Sequence, residues 1–534
     1  MMFEKMIENP ALLTDGYKFC HKDQYPEGLE WTYETWTPRK SRIEGVTHAV
    51  FFGLQGALAT LYWKWKENFF DRPMEIAVRK EVIDCLTGTF GVTNPEMVKD
   101  YDYSHFEELH KLGYLPIRIK AIKEGSFVQI GGEVYIEGGV IYKNGVPMFT
   151  IENTLPEFFW VPGYLETPLS CSIWQPMTAA TIADKYKRIL TYYAELTGCN
   201  QPGRVFNQGG DFSMRGMSSP ESAYRTTPGH LLSFGGSSTV PARNYLMAYY
   251  NAKPDVIAYA PSTEHSVMES YGRDEKRAIL ELVTRVYPSG IVTIVCDTYN
   301  LWDLIDNVLT DPEVKAAIIN RNGRVNIRPD SGDPVDIICG DDFVYTKQLN
   351  ERLKGFEETI RKGLVQRLYE IFGGTKNEKG FIELNSHIGC VYGDSITPDR
   401  AILICEGLMK NGFVTVSVGL GIGSFTYQYN TRDTLGFALK GTAEIINGEF
   451  KAIYKDPATD SDNFKKSQKG MVAVVFEDGD YRLIDNLTPE TVKEIENNEL
   501  QDVFVDGEFV RTQTFDEIRE RVASESERVY HGKF

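Results

Sequence analysis

The sequence predicts an α/β protein in which an irregular barrel of alternating strands and helices adjoins a mixed α+β domain. Between residues 166 and 441, short apolar strands end in polar or glycine-rich loops, and helical stretches follow them. Repeated βα units over about 250 residues favour a barrel, although an open parallel sheet would produce the same alternation. Residues 1–165 and 442–534 combine short strands, turns and helices, and their similar composition predicts that both ends form the α+β domain.

Local patterns support each part of this division. Residues 54–90 show a helical periodicity rich in Leu, Trp and Phe, whereas residues 30–36 alternate as a strand does. Ser219 followed by Pro220 predicts a helix start, and residues 266–286 form an amphipathic helical run. In the barrel region we expect strands to end near seven positions, which are Phe206, Phe234, Ala260, Cys296, Ile327, Tyr392 and Val418.

Composition and charge exclude several classes of protein. The 534 residues are 42% apolar and 25% charged, which is ordinary for globular domains, and a net charge of −18 argues against a nucleic-acid surface. No run approaches about 18 apolar residues, and the first residues lack a signal-peptide core, so we expect no membrane segment and a cytoplasmic location. The eight cysteines and eight histidines show no metal-ligand spacing, so neither a disulfide framework nor a cysteine–histidine metal site is expected.

The stretch Arg328-Pro329-Asp330-Ser331-Gly332-Asp333-Pro334 follows a short apolar strand and ends it with turn residues. An α/β fold places its chemistry at such a strand end. Arg328 supplies planar donors for a phosphate or carboxylate, and Asp330 and Asp333 could hold Mg²⁺ or ribose hydroxyls. A capped turn with a surface ion pair would use the same residues, so this stretch alone leaves both interpretations open.

Nearly every predicted strand end carries a group suited to phosphate, ribose or a planar ring. In chain order these groups are Asp211-Phe212 with Arg215, Ser237-Ser238, Glu264-His265, Asp297, Arg328 with Asp330, Gly393-Asp394, and the glycine-rich stretch 419–424. Backbone N–H groups of a glycine-rich loop can cradle a phosphate if a helix follows. The convergence of these groups at one edge of a sheet favours function over a set of unrelated turns.

Over nearly its whole length the chain resembles the nicotinamide phosphoribosyltransferase family, a group of type II phosphoribosyltransferases. Many matches in the same order make this resemblance far more specific than any single motif. They are Thr14-Asp15-Gly16-Tyr17-Lys18 with Gln24-Tyr25-Pro26, Asp211-Phe212 with Arg215-Gly216, Glu264-His265-Ser266, Ile327 to Pro334, Gly393-Asp394, Thr431-Arg432-Asp433 and Tyr454-Lys455-Asp456-Pro457.

The resemblance implies that nicotinamide and phosphoribosyl pyrophosphate react to give nicotinamide mononucleotide and pyrophosphate in NAD salvage. It implies a homodimer whose two active sites lie at the subunit interface, at the mouths of irregular barrels. Displacement at the anomeric carbon passes through an oxocarbenium-like state, so positioning and charge stabilisation dominate catalysis. Mg²⁺ and arginines then neutralise the departing pyrophosphate. In this family ATP phosphorylates the histidine equivalent to His265, beside Glu264, which couples ATP hydrolysis to synthesis.

The resemblance also implies a role for each matching residue. Phe212 and Tyr17 of the partner subunit resemble the aromatic faces that sandwich the pyridine ring, and Asp15 accompanies Tyr17 in its motif. Arg215 and Arg328 resemble residues near the base and the phosphates. Three aspartates, Asp297, Asp330 and Asp394, resemble those that handle ribose or Mg²⁺, with Gly393 beside the last. Four basic residues resemble those that reach across the dimer to the substrate phosphates, namely Arg432, Lys440, Lys455 and Lys465.

Two departures from the family pattern leave alternatives open. The loop at Gly423-Ser424 resembles a phosphate cradle but lacks the family's run of three glycines, since Ile422 and Phe425 intervene. Ser238 stands where the nicotinamide enzymes carry an aspartate, and a hydroxyl can serve an amide or an acid. A nicotinate phosphoribosyltransferase is therefore the first alternative. A barrel that binds sugar phosphates without turnover is the second.

Overall fold

The computed structural model describes residues 8–99, 101–136, 139–199, 202–455, 457, 467–531 and 533–534. Its contacts divide the chain into two compact units. The first comprises Met1–Thr181, Tyr245–Ala252 and Asn430–Val529, and the second comprises Ile182–Asn244, Lys253–Tyr429 and Tyr530–Phe534. The domain limits predicted from the sequence, at residues 165 and 441, stay a prediction.

The first unit contains a seven-stranded antiparallel sheet to which both ends of the chain contribute. Its strands, in spatial order, are Glu449–Ala452, Phe437–Ile446, Leu29–Pro38, Phe149–Asn153, Ile117–Ala121, Gln501–Val505 and Glu508–Phe509. The Trp36 ring is fully buried and stacks on Phe149 and Phe437, with ring centroids 5.8 and 5.5 Å apart. This aromatic stack fixes the register of the central strands through their buried face.

Three strand pairs and several helices complete the first unit. The pairs are antiparallel: His48–Val50 with the distant strand Phe127–Gln129, and the consecutive strands Gly132–Ile136 with Gly139–Lys143 and Met471–Glu477 with Asp480–Leu487. Its longer helices are Leu54–Trp65, Glu81–Thr89, Ser104–Leu112 and Phe515–Tyr530, with π-helical turns at Lys66–Phe70 and Glu75–Lys80. Helix Glu166–Leu196 begins in this unit and ends in the second.

The second unit contains a six-stranded parallel sheet. Its strands, in spatial order, are Ser289–Val295, Asn322–Arg328, Ile388–Tyr392, Val418–Ile422, Gly209–Asp211 and Gly236–Ser237. The segment 258–263 forms backbone hydrogen bonds with both edge strands, since Ser237 N donates to Ala258 O at 3.2 Å and Thr263 N to Thr293 O at 3.0 Å. The predicted α/β class is confirmed as a mixed fold with a parallel half-barrel sheet.

Helices follow the parallel strands, as the alternating pattern predicts. They are Pro202–Phe206, Pro220–Leu231, Val240–Tyr250, His265–Glu269, Glu275–Glu281, Pro312–Asn320, Pro334–Cys339, Glu357–Phe372, Pro398–Lys410 and Ser424–Tyr427. The predicted cap at Ser219 is confirmed, because its side chain accepts a hydrogen bond from Ser222 N at 3.0 Å. Within the described part of the chain, no helix is both long and apolar enough to cross a membrane.

The structure corrects six local predictions. Phe234 precedes the strand Gly236–Ser237 instead of ending a strand, and Ala260 lies in the segment 258–263, which forms only isolated bridges. Phe206 ends a helix rather than a strand, and Val418 begins a strand rather than ending one. Most of the stretch 419–424 is strand and not loop, because its glycines allow close strand approach: a Cβ on Gly421 would lie 2.8 Å from Gly393 Cα. The predicted helix 266–286 is broken after residue 269, where Gly272 adopts a positive φ of 62°.

Candidate active site

The carboxyl ends of the parallel strands surround a cavity of about 910 Å³ within the second unit. Since parallel strands all end at the same edge of a sheet, residues far apart in sequence meet there. Seven of the predicted site residues line this cavity, namely Phe212, Arg215, Ser238, Glu264, His265, Arg328 and Asp330. They come from four chain segments that follow strands or the edge segment 258–263.

Arg328 is the last residue of its strand and is already held in place. Its Nε and Nη2 donate to the two carboxylate oxygens of Asp330 at 3.1 and 2.8 Å, and Nη1 donates to Ser262 Oγ at 2.7 Å. The Arg328 and Asp330 side chains are 12% and 21% exposed. This bidentate ion pair fixes the plane of the guanidinium at the cavity wall.

Asp297 lies behind this ion pair and has one unused carboxylate oxygen. Its Oδ2 accepts hydrogen bonds from Asp330 N at 3.0 Å and Ser331 Oγ at 2.6 Å. Its Oδ1 is buried and has no hydrogen-bond partner among the residues that the structure describes. A buried acceptor without a partner costs free energy, so this oxygen is a position for a cation or a donor from a ligand.

His265 begins the helix His265–Glu269 at the cavity rim. Its Nδ1 lies 3.0 Å from Thr298 Oγ1, and its Nε2 lies 3.9 Å from Asp297 Oδ1. The side chain is 44% exposed, so one edge of the ring faces the cavity. Glu264, the preceding residue, is exposed and accepts a hydrogen bond from Ser266 Oγ.

Asp211 is a structural anchor rather than a reactive group. Its fully buried carboxylate accepts hydrogen bonds from Thr227, Ser237 and Thr239 hydroxyls at 2.8 to 2.9 Å through Oδ2, and from Ser213 N through Oδ1. Its backbone oxygen accepts from Ser238 N and Oγ at 2.9 and 3.2 Å. The carboxylate therefore has little remaining capacity to bind a substrate amide.

The Phe212 ring packs against two glycines, Gly210 and Gly421. Its backbone N donates to Ile422 O at 2.9 Å, and its side chain is 36% exposed at the cavity. A Cβ on Gly210 or Gly421 would approach the ring to 3.1 or 3.2 Å, so glycine at both positions leaves room for it. One ring face is thereby presented at the strand ends, as stacking on a planar base requires.

Four further predicted residues follow the last two strands along the chain. A Cβ on Gly393 would lie 2.3 Å from Asp330 Oδ1, so this glycine lets Asp330 approach the neighbouring strand end. Asp394 is exposed. Gly423 precedes a helix of only four residues, Ser424–Tyr427, and a Cβ on Gly216 would lie 2.0 Å from Ser424 Oγ. The loop after Phe212 therefore packs directly on Ser424.

Asp333 caps a helix, which is the second of the two interpretations that its sequence context left open. Its carboxylate accepts hydrogen bonds from Val335 N at 2.9 Å and Asp336 N at 3.2 Å at the start of helix Pro334–Cys339. Asp333 therefore caps this helix through Oδ1, and its interpretation as a ligand for Mg²⁺ or ribose stays a prediction.

Five predicted residues belong to the first unit, and one lies outside the described residues. Tyr17 is 59% exposed and donates to Asp15 Oδ2 at 3.3 Å. Lys440 Nζ lies 3.3 Å from Glu166 Oε1. Arg432 and Lys455 are exposed, and Lys465 falls in the segment 458–466 that the structure does not describe. Their predicted approach to a partner subunit's substrate stays a prediction.

Several supporting residues carry no motif and were missed in the sequence. Ser262, Thr298 and Ser331 orient Arg328, His265 and Asp297, yet isolated hydroxyl residues are too common in loops to stand out. His230 lies behind the site, with Nδ1 2.6 Å from Tyr427 OH and Nε2 3.2 Å from Gly236 O. Burial lowers the pKa of His230, so the imidazole is a neutral packing group.

The sequence of the second unit and its neighbours matches a known family. The profile of the nicotinate phosphoribosyltransferase (NAPRTase) family matches residues 208–508. A nicotinamide phosphoribosyltransferase of Acinetobacter baylyi is 41% identical over 97% of this chain and 98% of its own length. The chain belongs to the nicotinate phosphoribosyltransferase family. The family resemblance predicted from the motifs is confirmed.

A second relative is similar along nearly its whole length, and two solved structures share the fold. A nicotinamide phosphoribosyltransferase of Xanthomonas campestris is 31% identical over 96% of this chain and 98% of its own length. The crystal structures of Pyrococcus furiosus nicotinate-nucleotide pyrophosphorylase and human nicotinic acid phosphoribosyltransferase superpose with TM-scores of 0.55 and 0.53. The alignments cover 99% and 98% of this chain, and 98% and 95% of the other chains, at 14% identity. These two structures support the fold.

Proposed function

We propose that this enzyme transfers the phosphoribosyl group of phosphoribosyl pyrophosphate to nicotinamide, giving nicotinamide mononucleotide and pyrophosphate. The observation that carries the proposal is the Arg328–Asp330–Asp297 network, which holds a cation and an unused carboxylate oxygen at the cavity wall. Its full-length relatives are named for this reaction.

The geometry suits displacement at an anomeric carbon. Asp330 and Ser262 hold the Arg328 guanidinium before substrate arrives, so little reorganisation is needed as charge develops on the leaving pyrophosphate. The exposed face of Phe212 supports a planar pyridine ring, and Ser238 lies on the same cavity wall to bond its substituent. The protein thus positions two substrates and stabilises charge without forming a covalent bond to the sugar.

The donor set fits Mg²⁺. Among the described residues, Asp297 Oδ1 is a buried acceptor without a partner. Asp330 supplies a second carboxylate nearby, because its backbone N–H donates to Asp297 Oδ2. Mg²⁺ is typically held by one or two carboxylates together with substrate phosphates, so a three-residue cage is not required. No such cage of His, Cys, Asp or Glu exists in the described ranges. When bound, Mg²⁺ would neutralise the pyrophosphate.

The active unit of this proposal is a cytoplasmic homodimer in which the two subunits share each active site. Tyr17 is 59% exposed in the single chain, which is unusual for an aromatic side chain in a sequence motif. Arg432 and Lys455 are exposed cations in a chain of net charge −18. In the partner's active site, Tyr17 would stack on the pyridine ring, and Arg432 and Lys455 would bind the substrate phosphates.

ATP serves as a coupling substrate in this proposal. The γ-phosphoryl group moves from ATP to a ring nitrogen of His265, and ADP leaves. The contacts with Thr298 Oγ1 and the carboxylate of Asp297 orient the ring for this step. Glu264 precedes His265 at the cavity rim, so its negative charge would lie close to the phosphorylated ring.

Nicotinate is the alternative substrate, and Ser238 is the observation that favours it. The Asp211 carboxylate is saturated by hydroxyl and N–H donors, so it adds no repulsion at the cavity. A serine hydroxyl can donate to a carboxylate or accept from an amide. A non-catalytic sugar-phosphate barrel would need neither His265 nor the exposed Phe212 ring, so it explains fewer residues.

The test is product formation by the full-length protein with phosphoribosyl pyrophosphate, Mg²⁺ and nicotinamide. We expect nicotinamide mononucleotide and pyrophosphate in equal amounts, and far less product from Arg328→Ala. Turnover of nicotinate alone would assign the alternative substrate, and pyrophosphate release without a nucleotide product would reject the transfer reaction.

A further inference from the structure

A second cavity, of about 670 Å³, lies in the second unit at the opposite end of the parallel sheet. Its wall contains residues from the beginnings of strands: Ile291 and Arg324 are each the third residue of their strand, and Gln208 precedes the strand Gly209–Asp211. The active-site cavity instead contains Arg328, the last residue of the same strand as Arg324. The two cavities therefore lie at opposite ends of one sheet.

Arg324 is a cation in this second cavity that forms no ion pair of its own within the described residues. Its Nε is buried without a hydrogen bond, and no ion pair forms between its guanidinium and any residue in the described ranges. Burial and the neighbouring cation Arg204 lower the pKa of Arg324, whereas Cys390 and Glu383 raise it. The Glu383 carboxylate forms an ion pair with Arg204, so the Arg324 charge remains in excess. Arginine nevertheless stays protonated, so this end of the sheet carries a positive charge that is available to bind an anion.

Arg321, three residues earlier, also has a buried Nε without a partner, but its terminal nitrogens are hydrogen-bonded. Its guanidinium donates to the backbone oxygens of Gly290 at 2.8 Å, Ser289 at 3.1 Å and Tyr287 at 2.5 Å. It thereby closes the loop before the neighbouring strand. Arg324 has none of these partners, although both arginines flank the same strand start.

Two other polar atoms of the cavity wall also lack partners. Gln208 and Ser417 are 5% and 2% exposed, and both Gln208 Oε1 and Ser417 Oγ are buried without a hydrogen bond in the part of the chain that the structure covers. Gln208 Nε2 donates to Thr415 O at 2.9 Å and Val418 O at 3.0 Å, which fixes the amide and the direction of Oε1. One acceptor and one hydroxyl are thus available beside one cation.

The backbone leaves space for the guanidinium. A Cβ on Gly389 would lie 2.3 Å from Arg324 Nη2 and 2.4 Å from Nε, so only glycine allows the arginine to lie against this strand. Arg324, Asn326 and Arg328 alternate along one strand and share one of its faces. Asn326 also lines the second cavity and adds a polar amide between the two arginines.

We propose that this cavity is a second anion site that binds a small phosphate, either hydrogen phosphate or the phosphate group of a monoester. Arg324 offers planar donors to two phosphate oxygens, and the Ser417 hydroxyl can donate to an oxygen as well. The unpartnered Oε1 of Gln208 requires a donor, which the P–OH of a hydrogen phosphate or a sugar hydroxyl supplies. A simple carboxylate carries no such donor, so it matches the site less well.

The test is calorimetric titration of inorganic phosphate into full-length Arg328→Ala protein at constant ionic strength, a variant in which the catalytic site is weakened. We expect one phosphate to bind per chain, and Arg324→Gln in the same background to weaken binding at least about tenfold. Arg285→Gln is the control for loss of a positive charge, since Arg285 is 70% exposed and pairs with Glu281 on a helix surface. It should bind phosphate as the parent does.

Ser417→Ala keeps the charge and tests the site if Arg324→Gln fails to fold; it should weaken phosphate binding several-fold. Titration with adenosine monophosphate and with acetate separates the possible ligands. Tighter binding of the nucleotide would assign a phosphate monoester, and tighter binding of inorganic phosphate would assign the free ion. Acetate that binds as tightly as phosphate, or phosphate binding unchanged in the Arg324→Gln and Ser417→Ala variants, would overturn the proposal.

Discussion

Two hydrogen-bond networks at the carboxyl ends of the parallel strands differ in one respect. The network around Asp211 is closed, because both carboxylate oxygens accept hydrogen bonds and the residue is fully buried. The network around Asp297 is open, because Oδ2 accepts two hydrogen bonds while Oδ1 has none within the described ranges. Both aspartates lie at a strand end.

The difference shows that two carboxylates at one edge of a sheet can have different roles: one stabilises the surrounding loops, and the other remains available to bind a ligand. An ionised carboxylate only accepts hydrogen bonds, so a saturated one stabilises the loops that surround it and an unsaturated one retains capacity for a ligand. The closed network holds Phe212 and Ser238 in place, whereas the open network holds Arg328 and faces His265. Four substitutions test this division.

The largest effect is expected at His265, beside the open network. His265→Ala should abolish any ATPase activity and severely slow ATP-stimulated synthesis, because the phosphoryl acceptor is lost. Activity is measured as ADP and nicotinamide mononucleotide formed per minute. His387→Ala is the control, since His387 bonds Gly323 O at the other end of the strands. Full ATP-stimulated turnover in His265→Ala would remove the proposed role.

Arg328→Ala should lower kcat about 10²- to 10³-fold and raise the KM for phosphoribosyl pyrophosphate, because charge stabilisation grows as pyrophosphate leaves. Steady-state kinetics with varied phosphoribosyl pyrophosphate measure both constants, and circular dichroism checks the fold. Arg285→Ala removes an exposed arginine and should change neither constant. Parent-like kinetics in a folded Arg328→Ala protein would place Arg328 outside the site.

Thr227→Val tests the closed network by removing one donor to Asp211 while keeping the side-chain shape. Loss of a hydrogen bond to a charged group should cost about 1.5 to 3 kcal/mol of unfolding free energy. Chemical denaturation measures this cost, and Thr310→Val, an exposed threonine that bonds its own helix, is the control. Unchanged stability would mean that the network around Asp211 carries little free energy.

Ser238→Asp is expected to have the smallest effect, which appears only in the choice of base. An aspartate accepts hydrogen bonds from a carboxamide and repels a carboxylate, so discrimination against nicotinate should increase by about 1 to 3 kcal/mol. The measurement compares kcat/KM for both bases in the parent and the variant. A parent that already rejects nicotinate as strongly as the variant does would show that Ser238 does not determine selectivity.

The sequence predicts the α/β class and the strand ends that carry Asp297, Arg328 and Asp394, because alternation of apolar runs and polar loops is a local property. It does not predict hydrogen-bond saturation, which depends on residues far apart in the chain. Asp211, Asp297 and Asp333 therefore look alike in sequence, yet the fold makes them an anchor, an open acceptor and a helix cap.

Other differences have the same origin. The glycines of the stretch 419–422 look like a loop, but they serve close packing of strands and of the Phe212 ring. Arg324 stands out only when the structure shows that nothing pairs with it, whereas Arg321 bonds three backbone oxygens. Tertiary neighbours decide both outcomes, so periodicity and composition cannot anticipate them.

The most direct measurement applies the same isosteric change to both networks, Asp211→Asn and Asp297→Asn, and determines melting temperature and kcat/KM for each. Asparagine at 211 sets an NH₂ donor among three hydroxyl donors, so we expect the melting temperature to fall by about several degrees. Asparagine at 297 should leave the melting temperature near that of the parent and lower kcat/KM at least about tenfold, because the open Oδ1 loses its charge. A stable Asp211→Asn protein together with a fully active Asp297→Asn protein would contradict the division into a closed support and an open site.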